Sequence, residues 1–125
     1  MQGWGYAGDM KCCLCDSGLK DRDHLFVHCR VSRQVHVSLF GRVLYIPHVQ
    51  RWTEEVTWAV LKFKAQTELA EVGRVVWQSW VSNIWRERCR RLYAGKALAV
   101  NLLLKLIKSE VECFLGSHRV AHFWG

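Results

Sequence analysis

Four residues near the start of the sequence follow the pattern C-x2-C-x8-H-x4-C, and this spacing constrains the fold more than any other feature. They are Cys12, Cys15, His24 and Cys29. A C-x2-C pair on a tight turn brings two thiolates to one metal ion, and a second pair can return to that ion across a short loop. Because zinc prefers four such ligands in a tetrahedron, the spacing predicts one structural Zn2+ site.

The remaining cysteines and histidines of this region fit a metal site less well. Cys13 lies between the first two predicted ligands. A C-x-C pair formed by Cys13 and Cys15 is geometrically harder to place on one ion than a C-x2-C pair. We therefore interpret Cys13 as a residue that does not bind the metal. His28 directly precedes the last predicted ligand, and adjacent side chains tend to diverge, which favours His24. His36 and His48 have no partner at a suitable spacing.

The alternative to a metal site is a set of free thiols in a small core. No apolar run beside basic residues marks a secretory signal, so we expect an intracellular protein, nuclear or cytoplasmic, in a reducing compartment. The longest apolar stretch, residues 97–104, is too short to span a bilayer, and no membrane contact is expected. Cys89 and Cys113 fall within helical patterns and are interpreted as core thiols.

Hydrophobic periodicity in the second half of the sequence predicts three helices. They are placed near residues 53–71, 72–93 and 97–115. Thr53 is the predicted cap of the first helix. Gly95 and Gly116 are natural stops for the second and third.

These observations predict a mainly α fold, in which a small zinc-binding finger precedes amphipathic helices that form a helical hairpin or small bundle. The finger region is assigned to residues 1–50 and the helical region to residues 51–125. Half of the 125 residues are hydrophobic and seven are tryptophan, which is enough for a real apolar core.

The second predicted helix has an apolar and a polar side. The apolar side carries Trp77, Trp80, Val81, Ile84, Trp85 and Leu92. The polar side carries Ser79, Asn83, Arg86 and Arg90. Arg88 falls near the middle of the apolar side, so its charge must be paired or must reach water along its stem. The nearest predicted partners are Glu110 and Glu112 on the facing helix.

Two stretches of the chain resemble one known family. The first runs from W-G at 4–5 through C-C-L-C at 12–15 and D-R-D-H-L-F-V-H-C at 21–29 to S-R-Q-V at 32–35. The second reads I-W-R-E-R-C-R-R-L-Y at 84–93. In this order they resemble the zinc-binding domain at the C-terminal end of plant non-LTR retrotransposon reverse transcriptases.

The resemblance implies a set of metal ligands and a nucleic-acid partner. It places the family's metal ligands on the same four residues that the spacing selects. Two departures are His36, where the family usually has Trp, and Cys89, where it usually has Asn; residues 37–72 carry no match. In the family this region is presumed to help hold template RNA or target DNA.

The sequence also argues against catalysis by this chain. A polymerase holds two metal ions with clustered carboxylates, but no Asp-Asp pair occurs and no Asp follows Asp23. We therefore interpret the chain as a detached tail of such an element and not as an enzyme.

The positive charge of the chain predicts a nucleic-acid partner. The formal net charge is +7, and between residues 86 and 96 five residues are basic and one is acidic. Arg86, Arg90 and Arg91 are the candidate contacts for non-specific binding of RNA or single-stranded DNA. A solvated helix face, a protein-interaction scaffold and a translated retroelement remnant without a selected role remain the alternatives.

Overall fold

The computed structural model describes residues 12–15, 21–44, 46 and 48–124. Two short π-helical turns and five α-helices follow one another, and no strand is present in these ranges. The π-helical turns are His24–His28 and Arg90–Ala94. The helices are α1 (Arg30–Phe40), α2 (Trp52–Phe63), α3 (Glu68–Cys89), α4 (Val100–Leu115) and α5 (Ser117–Trp124). The predicted mainly α fold is confirmed.

Helix α3 is the centre of the bundle, since it packs against each of the other four helices. Trp80 and Ile84, both fully buried, lie on its inner side. One hydrophobic core extends from the cysteines at positions 12, 15 and 29 to Phe123 in α5. The boundary predicted near residue 50 therefore falls within a continuous core. None of the described helices has the length and apolar character needed to cross a membrane.

Two helices were not predicted. Helix α1 lies in the segment assigned to the finger, yet it packs against α3, α4 and α5. Its buried side includes Ser32 and His36, and these polar residues obscure the apolar period. Helix α5 follows Gly116 and buries Val120 and Phe123.

The predicted boundaries of the next two helices need correction. The cap of α2 is Arg51 and not Thr53, because the Glu54 carboxylate accepts the Arg51 N–H at 3.1 Å. Helix α2 ends at Phe63, and α3 begins at residue 68, before the predicted 72, because the Thr67 side chain accepts the N–H of Ala70. Gly95 and Gly116 do follow helical segments with φ of 66° and 96°, as predicted.

The inner side of α3 is rotated from the predicted one. Asn83, expected on the polar side, is buried, whereas Trp85 is 42% exposed. Asn83 can be buried because its amide donates to the Ser79 carbonyl and to Glu110, at 2.8 and 3.0 Å. Periodicity cannot detect such partners from the sequence.

Arg88 is buried, as predicted, with 5% of its surface exposed. Its guanidinium lies over the Trp85 ring, 4.6 Å from the ring centroid. The predicted partners are engaged elsewhere, since Glu110 accepts from Arg86 and Glu112 accepts from the indole of Trp124.

Candidate metal centre

The structure brings the four predicted ligands together. One ligand atom from each of Cys12, Cys15, His24 and Cys29 lies within 4.8 Å of all the others. The sulfurs of Cys12 and Cys29 are 3.8 Å apart, and the Cys15 sulfur lies 3.2 Å from Nε2 of His24. The three cysteines are buried, and the histidine is half-buried.

These distances fit a tetrahedral metal site. With zinc–sulfur bonds of about 2.3 Å, a tetrahedron has sulfur–sulfur edges of about 3.8 Å. Three thiols and one imidazole are a donor set that zinc favours, and the six cysteines form no disulfide. The donor set is compatible with a metal ion, and the geometry by itself does not select which one.

A π-helical turn positions the second ligand pair. The Cys29 N–H donates to the His24 carbonyl at 2.6 Å, an i to i+5 bond that places the two ends of H-x4-C side by side. Asp21 fixes the start of the turn, because its carboxylate accepts the His24 N–H at 2.7 Å. The five-residue spacing from His24 to Cys29 thus equals the span of the π-helical hydrogen bond.

The same turn is anchored on the helical bundle. Its buried Phe26 packs against Trp52 and Trp80, with ring centroids 4.7 and 5.7 Å apart. The Asp23 carboxylate accepts the N–H of Trp52 at 2.7 Å. The cluster is therefore held in place by α2 and α3 as well as by its own loop.

The pKa values of the Cys12 and Cys29 thiols shift in opposite directions. A hydrogen bond with Cys29 lowers the pKa of Cys12 to about 5, assisted by hydrogen bonds from the amides of Cys15 and Leu14, although burial acts in the opposite sense. The same contact, together with burial, raises the pKa of Cys29. One member of the pair is ready to bind a cation as thiolate, and a metal ion would displace the proton from the other.

The residues rejected as ligands lie outside the cluster. Cys13 turns its sulfur to the Arg88 carbonyl, 3.9 Å away. His28 is exposed and hydrogen-bonds the Gln50 carbonyl. His36, for which the sequence suggested no partner, is fully buried and contacts Glu55.

Two further cysteines were interpreted as core thiols. Cys89 is half-buried, but Cys113 is exposed, so the interpretation is wrong for Cys113. Trp4 and Gly5, which contribute to the family resemblance, lie outside the described residues.

The three arginines considered for nucleic-acid contact differ in exposure. The Arg86 side chain is 54% exposed and pairs with Glu110 at 2.9 Å. Arg90 and Arg91 are only 28% and 19% exposed, and both pair with the fully buried Glu87. The periodicity did not reveal Glu87, although E-R-x-x-R places acid and base at helical contact spacing.

Comparisons with known proteins identify no relative: no family model, curated protein or solved structure matches the chain significantly. The likeness to the retroelement zinc-binding domain thus stays an interpretation of its motifs.

Proposed function

We propose that this chain is a structural zinc module, in which Cys12, Cys15, His24 and Cys29 hold one Zn2+. The observation that carries the proposal is the convergence of four zinc-type ligand atoms, from two segments of the chain, within 4.8 Å. Bound Zn2+ would supply a cross-link between these segments, with an apparent binding free energy of about 10–16 kcal/mol that becomes folding free energy. The proposal assigns no catalytic activity to the chain.

We further propose that the module derives from a reverse-transcriptase-like retroelement and binds RNA or single-stranded DNA without sequence preference. The net charge of +7 supports attraction to phosphates, and Arg86 offers an exposed guanidinium on α3. Its pairing with Glu110 is a surface contact that a phosphate can replace, since such pairs contribute little stability.

A protein-interaction scaffold is the second candidate. Phe114 is 76% exposed, and it lines a shallow cavity between α3 and α4 with Val75 and Val111. An exposed aromatic ring beside a cavity with apolar lining is a surface that a partner can cover. A retroelement remnant without a selected role is the third reading.

Two measurements separate these functions. Metal analysis of purified protein tests the zinc module, which requires one Zn2+ per chain. Titration of zinc-loaded protein against single-stranded and duplex nucleic acid at two salt concentrations tests the proposed nucleic-acid binding. Salt-dependent binding supports the nucleic-acid role, whereas concentration-dependent self-association without such binding supports the scaffold.

A further inference from the structure

The turn that carries the first two predicted ligands is contacted by the side chain of Arg91, which lies far away in the sequence. We call residues 12–15 the knuckle. Nη1 of Arg91 donates to the carbonyl oxygens of Cys13 and Leu14, at 3.1 and 2.9 Å. These contacts span more than seventy residues of sequence and join the two stretches that carry the family resemblance.

Arg91 is itself fixed in place. Its Nε donates to Glu87 at 2.7 Å, and its Nη2 donates to the Leu98 carbonyl at 3.2 Å. Glu87 is fully buried and also accepts the Leu98 N–H at 2.8 Å. Because the planar guanidinium has several bonds in fixed directions, its orientation toward the knuckle is well determined.

The geometry of the peptide group links the hydrogen bonds from Arg91 to the metal ligands. In a trans peptide, the carbonyl oxygen and the following N–H point in opposite directions. The carbonyl of Cys13 shares a peptide with the N–H of Leu14, and the carbonyl of Leu14 shares one with the N–H of Cys15. The two N–H groups hydrogen-bond to the sulfur of Cys12. Holding both carbonyls outward therefore aims both N–H groups at a ligand sulfur.

We propose that Arg91, oriented by Glu87, is the positioning residue of the metal site, because it fixes the two peptide planes whose N–H groups bind the Cys12 sulfur. This inference rests on the proposed zinc function. It also gives Arg91 a role different from phosphate binding. Groups that orient ligands in this way typically change metal affinity by about 10- to 100-fold.

The chain offers a matched control in Arg90. Arg90 also pairs with Glu87, but among the described residues its guanidinium hydrogen-bonds to that carboxylate alone. Arg90→Gln and Arg91→Gln each remove one positive charge and one ion pair from the same buried glutamate. Only Arg91→Gln also releases the knuckle carbonyls.

The test is an anaerobic Co2+ titration of the full chain, followed by displacement with Zn2+. We expect Arg91→Gln to weaken Co2+ binding by about 10-fold or more and Arg90→Gln to leave it within about twofold. The thiolate-to-cobalt absorption should also move to lower energy in Arg91→Gln only, because a sulfur that loses N–H donors releases electrons more readily. A purely structural role for Arg91 does not predict that spectral shift.

The outcomes are distinguishable. If the wild-type chain binds neither Co2+ nor Zn2+, the proposed zinc function fails and this inference with it. If the wild type binds metal and Arg91→Gln matches it in affinity and spectrum, the inference alone is overturned. Where Arg91→Gln loses its helical circular dichroism, Arg91→Lys replaces it, since an ammonium retains the charge without the planar fork. A wild-type affinity and spectrum in that variant overturn the inference equally.

Discussion

Nε2 of His36 lies 2.9 Å from Oε2 of Glu55, and both side chains are almost completely shielded from solvent. The same carboxylate accepts hydrogen bonds from Arg33 and from the indole of Trp77. Nδ1 of His36 is buried and has no hydrogen-bond partner among the described residues. The geometry therefore favours a neutral imidazole whose Nε2–H donates to Glu55, since a proton on Nδ1 would be a buried, unpaired donor.

This pair predicts a loss of stability in mild acid. Burial lowers the pKa of His36 below its ordinary 6.5, although the Glu55 contact acts in the opposite sense. The unfolded chain thus binds a proton first, and the free energy of unfolding falls as the pH drops below about 6.5. Burial would raise the pKa of Glu55, but hydrogen bonds from His36 and Trp77 lower it below 4.5, so its contribution is lost only in stronger acid.

His36→Gln tests this prediction, because an amide can still donate to Glu55 but does not titrate. Denaturant unfolding of zinc-loaded protein at about pH 7.5 and about pH 5.5 should show a smaller difference for the variant than for wild type. His118→Gln, at an exposed position, should retain the wild-type difference. Equal pH dependence in all three proteins would contradict the assignment.

A close approach of α2 and α3 gives the second prediction. A Cβ atom at Gly73 would lie 2.2 Å from Cε1 of Phe63, whose ring is buried. We expect Gly73→Ala to destabilise the chain by about 1–3 kcal/mol from overpacking, although Ala favours a helix by about 1 kcal/mol. Ser82→Ala, on the exposed side of α3, should change the stability by less than about 0.5 kcal/mol. If thermal unfolding finds Gly73→Ala at least as stable as wild type, the interhelix contact is wrong.

The third prediction concerns the proposed binding of RNA or single-stranded DNA. Replacing Arg86 and Arg90 together with Gln should lower the affinity and reduce the slope of log affinity against log salt by about 0.7 per lost contact. The zinc content should stay unchanged. Lys62→Gln with Lys64→Gln, which removes the same charge from an exposed part of α2 and its end, is the control. Binding that ignores salt, or that survives the arginine replacement intact, would exclude this face.

The residues of the metal cluster could be predicted from the sequence, but only some of the side chains around the cluster could. The spacing of Cys12, Cys15, His24 and Cys29 is local, and local geometry suffices to bring such ligands to one ion. Helices α3 and α4 were recognisable because their apolar residues recur at helical spacing and because Gly95 and Gly116 follow the two helical segments. These features depend on residues that are close together in the sequence, so they can be recognised from one sequence alone.

The missed features depend on distant partners. Glu55 and Glu87 are buried because arginines, ring nitrogens or backbone N–H groups from other parts of the chain reach them. No periodicity encodes such pairing, so Asn83 was assigned to the polar side of α3 and Glu87 was not recognised as a buried residue. For the same reason Arg91 looked like a phosphate ligand, although its guanidinium contacts the knuckle.

Four particular side chains are proposed to hold one structural zinc ion, and the sharpest test compares Cys13 with Cys15, which lie two positions apart in the sequence. Zinc content per chain should be measured for wild type, Cys13→Ser and Cys15→Ser after purification in zinc-containing buffer, together with amide hydrogen exchange. We predict one zinc ion for wild type and for Cys13→Ser, and loss of bound zinc with unprotected amides over residues 10–35 for Cys15→Ser. A wild-type chain without zinc, or two variants that behave alike, would contradict this prediction.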